Sequence, residues 1–260
     1  GIYNGNRTDD VNYFSPNISA FLSRPICNDK LFNMIVKEVF NDDTNLDSEI
    51  IDIIYYISNE KATFICFLKQ FNDFLSKKRN SNINFKRLSF IIHDLRYQCE
   101  FKEHFIEYCG YNFVEISLLP ENRKNTNFLY YTIKLLLSSN SCLPSNVNYL
   151  ISFLLIQKKK DYMKTALNLC EKVGENNLTN IMPTIESIFD YVFKELKDTS
   201  LICLFLSIIP SLGKYRETNV ISLLNVLAKN YKNENNNAEI CESICIIFNS
   251  LSPNKNFKLL

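Results

Sequence analysis

Apolar residues recur along most of the chain at intervals of three and four positions, the spacing of one face of an α-helix. From residue 30 onward, apolar-periodic segments of roughly 10–17 residues alternate with polar links of roughly three to seven. This pattern predicts an all-α protein of about 10–12 helices with no sheet. The predicted helices lie near residues 30–41, 46–58, 61–78, 84–98, 101–118, 126–139, 145–157, 160–173, 183–196, 199–209, 217–231 and 238–251.

Glycine and proline positions refine several of these bounds. Gly174 follows a predicted helix in the position of a C′ glycine, and Gly110 is expected to break the helix over 101–118. Pro183 suits the first turn of its helix, and Pro144 stands just ahead of another. Pro210 is expected to end the helix before it, because the residue preceding a proline disfavours the helical conformation.

The distribution of apolar residues among the helices indicates how they pack. Segments 128–137 and 201–209 are apolar on nearly all sides, as expected of inner helices covered from two directions. Segment 240–251 carries one wide apolar stripe and must pack on a neighbour. Inner and outer helices joined by short links predict an armadillo- or HEAT-like, right-handed superhelical solenoid.

Repeat spacing and local composition predict the domain organisation. Pro144 and Pro183 lie 39 positions apart, as do two glycines, which suggests a repeat of about 40 residues. Residues 1–29 hold two glycines and two prolines with weak periodicity, so we expect an extended or poorly ordered arm. Residues 30–260 are predicted to form a single α-helical repeat domain.

Composition excludes several classes of protein. The 260 residues are 46% hydrophobic and 22% charged, which is unlike an intrinsically disordered chain, and five glycines are too few for a tightly turning sheet protein. A formal net charge of +1 supplies no global attraction for nucleic acid, which is therefore not expected as the main ligand. No apolar run reaches the ~20 residues needed to cross a bilayer, so we expect no direct membrane insertion.

The cysteines indicate the redox compartment. They number nine, an odd count, and form no CxxC pair, so we expect reduced core residues in an intracellular protein, cytoplasmic or nuclear. The chain begins with Gly1 and shows no charged-then-apolar leader, so we also expect a piece of a longer protein from which any targeting segment is missing.

Candidate catalytic chemistry is sparse. The two histidines, His93 and His104, fall on successive predicted helices and lie near Cys99 and Cys109. A Cys/His site is conceivable there, but the spacing matches no zinc pattern. The sequence lacks the GxGxxG, GxxxxGK[ST], HExxH and GxSxG motifs. We therefore predict no enzyme, no catalytic residue, no cofactor and no metal; a titratable pair in a cleft would revive the enzyme hypothesis.

Basic clusters are the best candidates for partner binding. Lysines 158–160 form one cluster at a helix boundary. The region from 77 to 87 is the stronger candidate for an acidic partner or a nucleic-acid backbone, although a solvated surface is the usual explanation of such clusters. No exposed aromatic residues are expected to interleave with it, since the 34 aromatic residues lie mostly in the apolar stripes. The candidate partner-binding residues are Lys77, Lys78, Arg79, Lys86 and Arg87.

One stretch resembles a known family. Residues 66–156 contain, in order, Cys66-Phe67-Leu68, Phe74-Leu75, Arg87-Leu88-Ser89-Phe90-Ile91-Ile92, Glu100-Phe101-Lys102-Glu103-His104-Phe105, Cys109-Gly110, Phe128-Leu129, Leu135-Leu136-Leu137-Ser138-Ser139-Asn140 and Leu150-Ile151-Ser152-Phe153-Leu154-Leu155. This order, together with the segment 241–256, resembles the C-terminal helical-repeat domain of the Wapl family of cohesin release factors.

The resemblance implies a non-enzymatic nuclear scaffold that binds cohesin subunits and the cohesin regulator Pds5 and helps to open the cohesin ring. It carries no catalytic residue over to this chain. The alternative is an unrelated armadillo- or HEAT-type adaptor, such as a chaperone cofactor, a transport factor or a complex-assembly factor, which would be expected in the cytoplasm.

Overall fold

The computed structural model describes residues 29–39, 47–77, 84–98, 102–123, 125–140, 143–173 and 178–213. These residues form helices and their links, with no strand among them. The helices are α1 (Asp29–Val39), α2 (Asp47–Ser58), α3 (Lys61–Lys77), α4 (Phe85–Gln98), α5 (Lys102–Leu118), α6 (Thr126–Ser138), α7 (Val147–Ile156), α8 (Lys160–Lys172), α9 (Met182–Tyr191) and α10 (Thr199–Gly213).

The chain divides into two compact units, Gly1–Ser139 and Asn140–Leu260. The predicted arm, apart from Asp29, and the predicted helices 217–231 and 238–251 lie outside the described residues. A single repeat domain over 30–260 stays a prediction.

Helices of the first unit pack in two rows. In one row α1 contacts α3 and α3 contacts α5; in the other α2 contacts α4 and α4 contacts α6. Contacts of α2 with α3 and of α5 with α6 join the rows. Each helix therefore packs on the helix two places along the chain, which is compatible with the predicted helical repeat. The superhelical solenoid itself stays a prediction.

Two polar contacts define the register between α3 and α5. The Cys109 thiol donates to the Leu68 carbonyl oxygen at 3.9 Å, across 41 positions of sequence. The Asn112 amide donates to Asn72 Oδ1 at 2.6 Å, across 40 positions. Both residue numbers rise together, so the two helices run in the same direction at a spacing close to the 39 positions between Pro144 and Pro183.

Phenylalanine rings form the centre of the first unit. Phe67 stacks on Phe71 at 5.8 Å between ring centroids, and Phe71 stacks on Phe105 at 6.1 Å. Phe105 meets Phe113 edge-on at 5.2 Å, and Phe113 meets Phe128 at 6.3 Å. All five rings are buried. Because aromatic pairs add about 0.5–1.5 kcal/mol beyond area burial, this ladder joins α3, α5 and α6 into one core.

The second unit repeats the parallel register on a smaller scale. Helix α7 contacts α8 and α9, and α8 contacts α10. Lys160 at the start of α8 pairs with Asp198, which precedes α10. Further along, the Ser207 hydroxyl of α10 donates to Glu171 Oε1 at 2.7 Å. Helices α8 and α10 therefore also run in the same direction.

Two expectations about helix interruption are wrong. Helix α5 continues through Gly110, which is buried within it, and α10 continues through Pro210 to Gly213. An interior glycine costs a helix about 1 kcal/mol and a proline about 3, and tertiary packing of a helix can outweigh such penalties. The placements of Pro183, in the first turn of α9, and of Pro144, ahead of α7, are confirmed. Gly174 lies outside the described residues.

Candidate functional site

A groove of about 640 Å³ runs between α4 and the first half of α6 in the first unit. Ligand sites in proteins commonly have volumes of about 300–1,000 Å³, so the groove has the size of a binding site. Its described lining consists of Phe85, Lys86, Ser89, Phe90, His93, Asn125, Thr126, Asn127, Phe128 and Tyr131.

Helix α4 supplies one wall. Lys86, Phe90 and His93 lie at positions i, i+4 and i+7, so a single helical face presents all three to the groove. Lys86 is exposed, and Phe90 keeps 44% of its surface exposed. Ser89 lies beside them, and its hydroxyl donates to the Phe85 carbonyl oxygen at 2.6 Å.

The first turns of α6 supply the other wall. Asn125 caps this helix without a side-chain hydrogen bond, and Thr126 and Asn127 are exposed. The floor is aromatic: buried Phe128 meets Phe85 edge-on at 5.4 Å. Tyr131, half-buried, meets the His93 ring at 5.1 Å. The groove therefore combines an apolar floor with polar groups along its rim.

Electrostatics favour a negatively charged occupant. Lys86 carries the formal positive charge of the groove, and no carboxylate occurs among its described lining residues. Lys86 makes no ion pair with any residue that the structure describes. The amide groups in the first turn of α6 add partial positive charge from the helix dipole.

Three of the five residues predicted to bind a partner, Lys77, Lys86 and Arg87, lie in the described part of the chain. Lys86 lies in the groove, whereas Lys77 lies at the end of α3 and pairs with Asp73 at 2.5 Å. Arg87 is only 5% exposed, so its guanidinium belongs to the interior and does not form part of a surface cluster, contrary to the expectation. Lys78 and Arg79 lie outside the described residues. Partner binding through Lys77 and Lys86 stays a prediction.

The second basic cluster makes contacts within its own unit. The ammonium group of Lys158 lies 4.4 Å from the centre of the Tyr191 ring. Lys159 approaches a tyrosine ring on α8 at 5.4 Å, and Lys160 pairs with Asp198 at 2.5 Å. Two of these contacts, from Lys158 to Tyr191 and from Lys160 to Asp198, join different elements of the second unit.

The two histidines lie on different helices. His104 contacts Glu107 at 3.1 Å on α5, while His93 faces the groove from α4. Burial raises the pKa of the Cys109 thiol well above its usual range, and burial also raises the pKa of Cys170 to about 12. Cys99 lies outside the described residues. Among the residues that are described, no group of three His, Cys, Asp or Glu side chains could hold a metal ion.

The sequence interpretation missed the aromatic part of the site. The sequence places most aromatic residues in the core and does not single out Phe90, which lies exposed one helical turn from Lys86. The available signal was the spacing of Lys86, Phe90 and His93 on one predicted helix.

No protein-family model, no curated protein and no solved structure matches the chain. Within the described ranges, no helix is both long enough and apolar enough to span a membrane. A function is therefore inferred from the chemistry of the groove between α4 and α6.

Proposed function

We propose that this protein is a non-enzymatic scaffold that binds a segment of a partner protein in the groove between α4 and α6. The carrying observation is the exposed ring of Phe90 one turn from Lys86, a cation with no ion-pair partner among the described residues. Aromatic side chains are enriched at protein interfaces, where they supply much of the binding energy.

The contrast with the other phenylalanines supports this proposal. The rings of the ladder from Phe67 to Phe128 are buried, so this fold has room for phenylalanine in its core. A phenylalanine left in solvent on the wall of a groove forgoes that burial, and a partner side chain that covers it recovers the apolar contact.

The more specific form of the proposal is a Wapl-type cohesin regulator, which would bind cohesin subunits and Pds5 in the nucleus. The resemblance over residues 66–156 supports it, and both helices of the groove fall within that stretch. An unrelated armadillo- or HEAT-type adaptor remains the alternative, with the same groove serving a chaperone, transport or assembly partner in the cytoplasm.

Affinity capture with groove variants tests the proposal. The purified protein, kept reduced, is used as bait in lysate of the organism that encodes it, with a heat-unfolded sample as background. We expect partners that are retained by the Y149S variant and lost from the F90S variant. Tyr149 is a matched control, because its ring is 64% exposed on α7 of the second unit.

The identity of the captured proteins distinguishes the Wapl-type function from that of an unrelated adaptor. Enrichment of cohesin subunits and Pds5 supports the Wapl-type function, and enrichment of another complex supports the adaptor. Partners that bind wild type and F90S equally would contradict binding through the groove.

A further inference from the structure

We infer that the groove between α4 and α6 recognises an acidic peptide segment that carries an apolar anchor residue. The anchor packs against Phe90 and Tyr131, and a carboxylate of the same segment pairs with Lys86. This inference rests on the proposed scaffold function and specifies the chemistry of the partner.

Charge complementarity selects an acidic segment. The described lining holds one lysine and no carboxylate, so an acidic side chain meets attraction there without a competing repulsion. The ammonium group of Lys86 stands at the exposed rim, where a pairing partner keeps part of its hydration and avoids a large desolvation penalty. Opposite charges at such a rim also accelerate association and disfavour basic competitors.

The aromatic floor selects an apolar anchor. Phe90 and half-buried Tyr131 face the groove from opposite helices, and Phe128 closes its base. An aliphatic or aromatic side chain inserted between them replaces exposed ring surface with packed contacts. The side-chain amide of Asn127, at an exposed position, lies along the same opening, where peptide backbone groups can find a hydrogen-bond partner.

A peptide fits these observations better than a nucleic acid does. Proteins that bind single strands combine stacking rings with a basic channel that follows several phosphates. The groove has the rings, but its described lining contributes a single lysine, and the chain as a whole carries a net charge of only +1. A short acidic segment needs no more than this one cation.

Fluorescence polarisation with defined probes tests the inference. The probe is a fluorescein-labelled octapeptide that alternates Glu with Leu and Phe, and its control replaces every Glu with Gln. A labelled uridine dodecamer reports nucleic-acid binding. We expect the Glu peptide to bind about two- to fivefold more tightly than the Gln peptide in 50 mM salt. The difference should shrink in 300 mM salt because ions screen an exposed pair.

Matched variants assign the binding to the groove. K86E is expected to lower the affinity for the Glu peptide by about tenfold or more, since it replaces attraction with repulsion. K69E makes the same charge change on an exposed position of α3 outside the groove lining and is expected to change the affinity less than about twofold. F90S should lower the affinity for both peptides, whereas Y149S should leave both affinities unchanged.

Each outcome has a definite meaning. Equal binding of the Glu and Gln peptides, no saturable binding of the Glu peptide, equal effects of K86E and K69E, or tighter binding of the uridine dodecamer overturns the acidic-peptide inference. In each of these cases the scaffold function still stands if the captured partners are lost from F90S. Partners that are insensitive to F90S, by contrast, would contradict the scaffold function through the groove, whatever the peptides do.

Discussion

The carboxylate of Asp198 lies 2.5 Å from the ammonium group of Lys160, which joins the start of α8 to the start of α10. The other carboxylate oxygen accepts hydrogen bonds from the Leu201 backbone N–H at 3.1 Å and from the Ser200 hydroxyl at 2.7 Å. Asp198 therefore acts as the N-cap of α10 and as an ion-pair partner at once. The hydrogen bond from Lys160, followed by that from Ser200, lowers the pKa of Asp198 to about 2.

Removing this cap is expected to destabilise the second unit. D198A should lower the free energy of unfolding by about 1–2 kcal/mol, because the first-turn amide of α10 loses its acceptor and Lys160 loses its partner. D198N keeps a cap acceptor and should cost about 1 kcal/mol or less. Urea unfolding followed by circular dichroism at 222 nm measures both. Equal losses in the two variants would show that capping adds nothing.

The same residue predicts a pH dependence. Its pKa in the fold, about 2, lies below the ordinary 3.8, so the ionised form stabilises the folded state at pH values above 3.8. This contribution is lost as the pH falls from 3.8 toward 2. The stability difference between wild type and D198N should therefore shrink in that window. D190N is the control, because the exposed pair of Asp190 on α9 with Lys194, four positions further along, should contribute only about 0.3–0.5 kcal/mol. A constant difference for D198N from neutral pH to pH 2 would contradict the assignment.

The amide contact between α3 and α5 is expected to stabilise the first unit. Asn112 is buried and donates to both Oδ1 and the backbone oxygen of Asn72. N112A should lower the free energy of unfolding by about 1–3 kcal/mol, because two acceptors lose a donor inside the structure. N127A, at an exposed position of the groove, should change it by less than about 0.5 kcal/mol. A double-mutant cycle with N72A isolates the coupling, and a coupling energy near zero would contradict the contact.

The phenylalanine ladder and the groove ring should respond differently to truncation. F113A removes a buried ring that contacts three neighbours and should cost about 3–5 kcal/mol. F90A removes a half-exposed ring and should cost less than about 1 kcal/mol. Thermal and urea unfolding of the two variants measure this contrast. A strongly destabilised F90A would place that ring in the core and count against the binding groove.

Thiol accessibility provides a further check on the packing. Burial removes Cys109 and Cys170 from solvent and raises the pKa of both thiols, whereas Cys203 is half-buried. Iodoacetamide at pH 8, followed by peptide mass spectrometry, should label Cys203 in the native protein while Cys109 and Cys170 stay unmodified. All three should react in urea. Native labelling of Cys109 at the rate of Cys203 would contradict the close packing of α3 on α5.

Helix positions could be predicted because they depend on local sequence. The apolar period gives α3, predicted over 61–78, and α8, predicted over 160–173, to within a residue of their observed ends. The same local rules failed at Gly110 and Pro210. At these two positions the helix penalty of one residue competes with the free energy gained by burying a whole apolar helix. How much of a helix is buried depends on its neighbours in the fold and cannot be derived from local sequence.

The candidate site could be predicted only in part. Lys86 and Arg87 are both basic residues of one predicted cluster, yet Lys86 lines the groove and Arg87 is buried. The reason is that successive residues of a helix point about 100° apart. Which of the two faces solvent depends on the neighbour that α4 packs against. That neighbour is α6, about forty positions further along the chain.

Hydrophobic periodicity acts within one element, so local sequence is enough to predict that the described part of the chain is helical and where most of its helices begin and end. The tertiary structure alone decided that Phe90, Lys86 and Tyr131 share a groove, because that groove exists only where two distant helices meet. Only the tertiary structure shows that lysines 158–160 contact residues of their own unit. Contacts between residues far apart in sequence leave no periodic trace along the chain, and these contacts create the surface on which the proposed function depends.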